Sequence, residues 1–244
     1  MPLYDLTQTL EKWAKKHSDF SEDEFNNDLA RLEIDTSKLR VINQHGPLDP
    51  EDVEKCSGVV FKSRYTNNSD VPQEHTFTME RHTDATVTTT LTKGFTTDGS
   101  VGVKVKVPDV ITNATSSFGN EVTIATEDVS TVKHSLAWSI HSKVKVAPGK
   151  TTVAELRINE EKHKVNFKST VIMKGRVLAR VYRGDSEKPK VIESTLATIL
   201  SDTNPHQAPD VRIEMETGKV TWGISGTLHF RFGVSQDCKV YPET

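Results

Sequence analysis

Residues Gly94–Thr131 read GFTTDGSVGVKVKVPDVITNATSSFGNEVTIATEDVST, and the alternation within this stretch decides the fold. Val101, Val103, Val105 and Val107 are separated by Gly102, Lys104 and Lys106. Successive strand side chains point to opposite faces, so the valines share one face and the lysines take the other. On the return, Val122 and Ile124 alternate with Glu121, Thr123 and Glu127. A turn centred near Asn113 and Ala114 sets Val105 opposite Val122, Val103 opposite Ile124 and Lys106 opposite Glu121. The predicted ribbon then has one apolar face and one face of paired charges, as cross-strand stabilisation requires.

Two structures use such a ribbon. One is a half-buried hairpin of a soluble sheet, valines inward and lysines in water. The other is a hairpin held in reserve for a transmembrane β-barrel. There Val101, Val103, Val105, Val107, Val122 and Ile124 would face lipid, and Lys104, Lys106, Glu121, Thr123 and Glu127 a wet lumen. Val110, Ile111 and Phe118 would form the apolar tip. Roughly 9–11 tilted residues cross a bilayer, a length that each arm reaches.

The whole chain has 244 residues, a net charge of −3 and 34% hydrophobic residues, enough for a core in one elongated domain or two small ones. Lysine and arginine are scattered, which leaves no nucleic-acid footprint. No run of 18 apolar residues exists, so no helix is expected to span a membrane. The opening MPLYDLTQTLEKW is amphipathic and lacks the plan of a signal peptide. The expectation is a protein secreted or released without a visible leader, or trimmed, with a cytoplasmic location as the alternative. Cys56 and Cys238 form neither a disulfide framework nor a zinc site, and read as two free thiols or one bridge. No metal and no cofactor is expected.

Leu3, Leu6, Leu10 and Trp13 recur at helical spacing, predicting an amphipathic helix over residues 4–16. Ser21-Glu22-Asp23-Glu24 is a capping box, with Phe20 and Phe25 placed as a hydrophobic staple. Phe25, Leu29 and Leu32 would form the stripe of this second helix. Residues 43–50, NQHGPLDP, read as a turn, and Pro50–Lys55 as a short acidic helix. Tyr4, Trp13, Phe20 and Tyr65 either pack these parts onto the sheet or form an aromatic receptor-binding patch.

From Ser57 onward β signals dominate. Val59–Tyr65, the long threonine-dense run Gln73–Lys93, Val132–Val146, Thr151–Ile158, His163–Tyr182, Val211–Glu216 and Lys219–Gly233 read as strands. The second-last long strand would bend at Gly175, and Gly218 would turn the final hairpin. Val191–Leu200 reads equally as strand or helix. Runs this long exceed the usual 3–10 residues and predict a mainly β, elongated architecture of long twisted antiparallel strands with a small N-terminal helical part. The expected division is 1–57 for the helical, receptor-facing segment and 58–244 for the β module, with the hairpin at about 94–131.

The order of features resembles the aerolysin-like β-pore-forming toxins of the epsilon-toxin and mosquitocidal-toxin branch. The matching residues are the Asn67-Asn68 turn with its Thr-rich strand, Thr86–Phe95, Val101–Pro108, Ser116–Ile124, Val144–Leu156 and the closing GKVTWGISGTLHF. The resemblance implies a rod whose receptor-binding end lies near the N-terminus and whose trimming, often C-terminal, permits assembly into a homo-oligomeric ring. It further implies a stem hairpin from each protomer, falling here on Gly94–Thr131, that enters a target-cell membrane through an unnamed glycan, lipid or protein receptor. The alternative is a non-lytic carbohydrate- or lipid-binding protein of defence, stress or storage on the same scaffold. An enzyme is not expected: His75, His82, His134 and His141 lie in strands near Glu80 and Asp84, with no GxSxG, HExxH or phosphate-cradling loop.

Overall fold

The computed structural model describes residues 3–126, 129–184, 188–203 and 210–243. It is mainly β, elongated and antiparallel, with four short helices among the described residues. After the two-residue strand β1 (Tyr4–Asp5) comes α1 (Leu6–His17), which buries Leu6, Leu10, Trp13 and Ala14. Asp5 caps it by accepting from Gln8 N at 2.9 Å, and Lys15, Lys16 and His17 complement the C-terminal dipole. In α2 (Glu22–Asn26) the capping box forms as expected, with Phe20 and Phe25 ring centroids 6.1 Å apart. This helix is shorter than the predicted stripe. Asp28 takes the left-handed conformation at φ 57°, Leu29 is exposed, and Leu32 lies in strand β2 (Ala30–Asp35).

The expected turn at 43–50 and acidic helix at Pro50–Lys55 are instead parts of one strand, β3 (Leu39–Thr66). Its register shifts at His45/Leu48, Pro50/Val53 and Val59/Phe61. Among the described residues β3 pairs only with β9 (Thr151–Arg183), which leaves its other margin open. Prolines are tolerated on such an edge because no ladder needs their missing N–H, and bulges absorb the irregularity. The expected boundary at residue 57 therefore falls inside a strand. Among the described residues of that segment, helices occupy only Leu6–His17 and Glu22–Asn26.

Strand β4 covers Gln73–Lys93, as the threonine run predicted, and β5 is the pair Phe95–Thr96. Then come β6 (Val103–Lys106), α3 (Asp109–Ala114), β7 (Glu121–Ile124) and β8 (Ser130–Val146). Strand β9 runs unbroken through the break expected at 159–162, where Glu160 pairs with Arg231, Glu161 with Lys55, and Lys162 with Glu54 across neighbouring strands. At Gly175 (φ 144°) a Cβ would lie 2.2 Å from the Lys38 carbonyl oxygen, and here β9 exchanges β3 for β2 as partner. The ambiguous run near 191–200 is both: strand β10 (Lys190–Thr195), then α4 (Leu196–Asp202) capped by Thr195. Strand β11 (Val211–Glu214) turns through Gly218 (φ 66°) into β12 (Lys219–Pro242).

The main sheet has eight strands, with the path β10-β9-β12-β4-β8 and β2, β3 and β11 joined to it. Two hydrophobic clusters lie along it. The larger collects α1, α4, β6, β7 and the inner faces of β9 and β12 around Trp222, Phe230 and Phe232. The smaller packs Phe77, Val144, Val146, Ala154 and Leu156.

Candidate membrane-insertion hairpin

Strands β6 and β7 form a two-stranded ribbon of their own. The register is the one the sequence predicts: Val103 opposite Ile124, Val105 opposite Val122, Lys106 opposite Glu121. Backbone bonds from Val101 N to Ala125 O at 3.0 Å and from Val107 N to Asn120 O at 2.8 Å prolong it at both ends. Val101, Val103, Val105, Val107, Val122 and Ile124 are all buried, whereas Lys104, Lys106, Glu121 and Thr123 are exposed. The apolar face lies in the larger core cluster with Leu6, Leu10, Val171 and Met173. Glu127 lies outside the described residues.

The exposed face differs in its pairing. Lys106 Nζ turns to Asp109 at 2.9 Å, while Glu121 is 3.8 Å from Lys104 Nζ and 2.9 Å from His45 Nε2 of β3. The tip is likewise more built than a plain turn. Pro108 starts α3, Val110 is exposed, and Ile111 and Phe118 are buried. Phe118 stands edge-on to Phe230 and Phe232 at 5.2 and 5.9 Å between ring centroids, pinning the tip to β12.

The base of the ribbon is held by the N-terminus. Strand β1 pairs in parallel with β5, Tyr4 beside Phe95 and Asp5 beside Thr96. Thr7 Oγ1 donates to Asp98 Oδ1 at 3.1 Å and accepts from Asp98 N at 2.7 Å. Nothing in a two-residue strand signals this pairing in the sequence. His45 was obscured because it stands in NQHGPLDP, although Leu39, Val41, Asn43 and His45 share the period of a strand face.

The four aromatic residues considered for receptor binding each pack against different neighbours. Tyr4 packs on Trp222 at 5.3 Å and meets Thr9 at 2.7 Å; burial pushes its hydroxyl pKa up, partly opposed by that hydrogen bond. Trp13 is 3% exposed. Phe20 lies under the Arg183 guanidinium at 5.0 Å, and Tyr65 stacks on His75 at 5.0 Å beside the smaller cluster. Both cysteines are free thiols, and burial raises the pKa of Cys238. Among the described residues no three His, Cys, Asp or Glu side chains are grouped to hold a metal.

Comparison with known proteins gives the family and the fold. The profile of the family described as Clostridium epsilon toxin ETX/Bacillus mosquitocidal toxin MTX2 matches residues 58–224, more than half of the chain. No match was found among curated proteins. In the fold comparison, a non-toxic crystal protein from Bacillus thuringiensis aligns with 14% identity and TM-score 0.56 over 99% of this chain and 98% of that one. The Cry23Aa1 and Cry37Aa1 binary complex aligns with 17% identity and TM-score 0.53 over 99% and 90%. These likenesses show a shared fold. The profile match, together with the long antiparallel sheet and its folded-back ribbon, shows that the chain belongs to the epsilon toxin/mosquitocidal toxin MTX2 family of aerolysin-like proteins.

Proposed function

We propose that this protein is a β-pore former whose soluble monomer binds a target membrane, assembles with copies of itself and contributes residues 94–131 to a transmembrane barrel. One observation carries the reading: the apolar face of the ribbon is buried in the monomer, yet among the described residues β6 and β7 share no ladder with the main sheet. Departure of β6 and β7 gives up side-chain packing and the His45–Glu121 hydrogen bond but no backbone bond of the main sheet. Among the described residues, the wider segment parts from strand ladders only at the two-residue strand β1 and at the first pairs of β8. Its alternation of valine against lysine, glutamate and threonine matches a barrel wall with lipid outside and water inside. A single hairpin in lipid would strand its edge N–H and C=O groups at several kcal/mol each. Closure of a ring gives every edge a neighbour, so insertion follows assembly in one cooperative step. Each protomer supplies two strands and the strand count is even.

The test is dye release from lipid vesicles with SDS-resistant oligomers followed in parallel, on whole and protease-nicked protein. Release that tracks oligomer formation is expected. Attachment to vesicles without release would replace the pore with the non-lytic binding reading. Absence of both oligomers and release would end the proposal.

A further inference from the structure

A cavity of about 270 Å³, open to solvent on the side of the exposed Val41, lies between the first arm of the ribbon and the sheet. Val101 and Val103 wall it from the ribbon, Val41, Asn43 and Met173 from the sheet, and Leu6 from α1. Among the described residues no lining side chain is charged, which favours a neutral guest. Val41 is opposite Met173 and Asn43 opposite Val171, which turns these β3 side chains toward the ribbon. Asn43 Oδ1 is buried with no hydrogen-bond partner, and a buried acceptor left unpaired is destabilising. Asn43 itself lines the cavity, and the terminal torsion of an asparagine is broad, which leaves its amide free to turn toward a guest.

We propose that the cavity binds a small neutral amphiphile, an alcohol or phenol. Its hydroxyl donates to Asn43 and its hydrocarbon part lies against the valines. Occupancy then locks the ribbon onto the sheet, which rests on the reading of the ribbon as the segment that leaves. An enclosed apolar cavity of roughly 150 Å³ accepts benzene, so the volume of this open one has room for a guest of on the order of ten non-hydrogen atoms, with its polar end toward the wet side. Because ribbon and sheet each supply walls, departure of the ribbon destroys the site. A ligand bound only by the docked form, at a hundredfold excess over its Kd, lowers the detached population about a hundredfold.

The experiment titrates the full-length protein with 4-propylphenol and with 1-fluoro-4-propylbenzene, a near-isostere that lacks the O–H donor. Ligand-detected NMR reads binding, and amide hydrogen exchange of residues 103–106 and 121–124 reads the lock. Saturable binding of the phenol, about fivefold tighter than the fluoro compound, is expected together with slower ribbon exchange. Val41→Trp should fill the cavity and abolish binding, and Asn43→Leu should bind both compounds equally. Absence of saturable binding, binding that survives Val41→Trp, or a phenol preference that survives Asn43→Leu overturns the site. Unchanged ribbon exchange at saturation overturns the lock. Neither readout involves a bilayer, so failure to permeabilise vesicles would refute the pore reading and leave the binding result intact.

Discussion

His45 Nε2 lies 2.9 Å from Glu121 Oε1, and among the described residues this is the one side-chain hydrogen bond between the ribbon and the eight-stranded sheet. The remaining grip is apolar, from the valine row and from Phe118 against Phe230 and Phe232. The two partners are 37% and 40% exposed, so their pairing contributes at most about 1 kcal/mol to global stability. Its position nevertheless makes it a local clasp. His45→Ala should leave the urea midpoint nearly unchanged and accelerate exchange of the 103–106 and 121–124 amides. Unaltered exchange would show that the valines hold the ribbon alone.

A covalent tether tests the same relationship from the opposite side. In a background with Cys56→Ser and Cys238→Ser, His45→Cys and Glu121→Cys joined by a short cleavable bis-maleimide should abolish vesicle leakage. Cleavage of the linker should restore it. Leakage from fully tethered protein would show that the ribbon is not the stem.

The exposed face offers a cleaner probe of a lumen than the valines do. Val103 and Val105 are 1% and 2% exposed in the monomer, so an aspartate at either position would bury an unpaired charge and disrupt folding before any membrane is met. Lys104 and Lys106 have side chains 56% and 50% exposed. Lys104→Glu with Lys106→Glu should change stability by no more than about 1 kcal/mol. In planar bilayers the same variant should shift ion selectivity toward cations. Unchanged selectivity would remove these lysines from the lumen.

The C-terminal end of β12 covers part of the β9 edge. Val240, Tyr241 and Pro242 pair with Ala154, Val153 and Thr152. Cleavage after Lys239 would free those backbone groups for strand addition by another copy. SDS-resistant oligomers should then form several-fold faster than from intact chain. Equal rates would deny the tail this role.

Acid should act on the same end of the molecule. Glu155 has its pKa lowered from 4.5 to about 2, chiefly by the Tyr241 hydrogen bond, then by Arg157 and Lys62. A depressed carboxylate stabilises the fold above its unfolded pKa, and that contribution is lost as pH falls from about 4.5 toward 2. Glu155→Gln should therefore be less stable than the parent at pH 7, with the gap closing across this window. Urea denaturation of both proteins from pH 6 to 2 measures it; a gap independent of pH would contradict the assignment.

Much of the fold was legible where periodicity and local chemistry agree. Gln73–Lys93 is a strand with the expected bounds, and the Ser21/Glu24 box caps a helix. The ribbon register could be read because a period of two fixes which face is buried. Strand β3 was hidden by Pro47 and Pro50, which signal a turn locally but are harmless on an open edge. The helix at Asp109–Ala114 was hidden because its sequence is β-rich, and burial of Ile111 in the core overrides that propensity. His45 and the β1–β5 pairing were out of reach, since each depends on segments far apart in sequence meeting in space.

The ribbon owns its ladder, and that has a spectroscopic consequence. Among the described residues, release of β6 and β7 severs none of the eight-stranded sheet's backbone bonds. Only the short β1–β5 pairing and the first pairs of β8 are at stake beside them, while assembly adds new bonds between protomers. Infrared absorption in the amide I region should thus show strand intensity climbing from the first moments of conversion with no preceding dip, and the small helical contribution of Asp109–Ala114 fading as it does so.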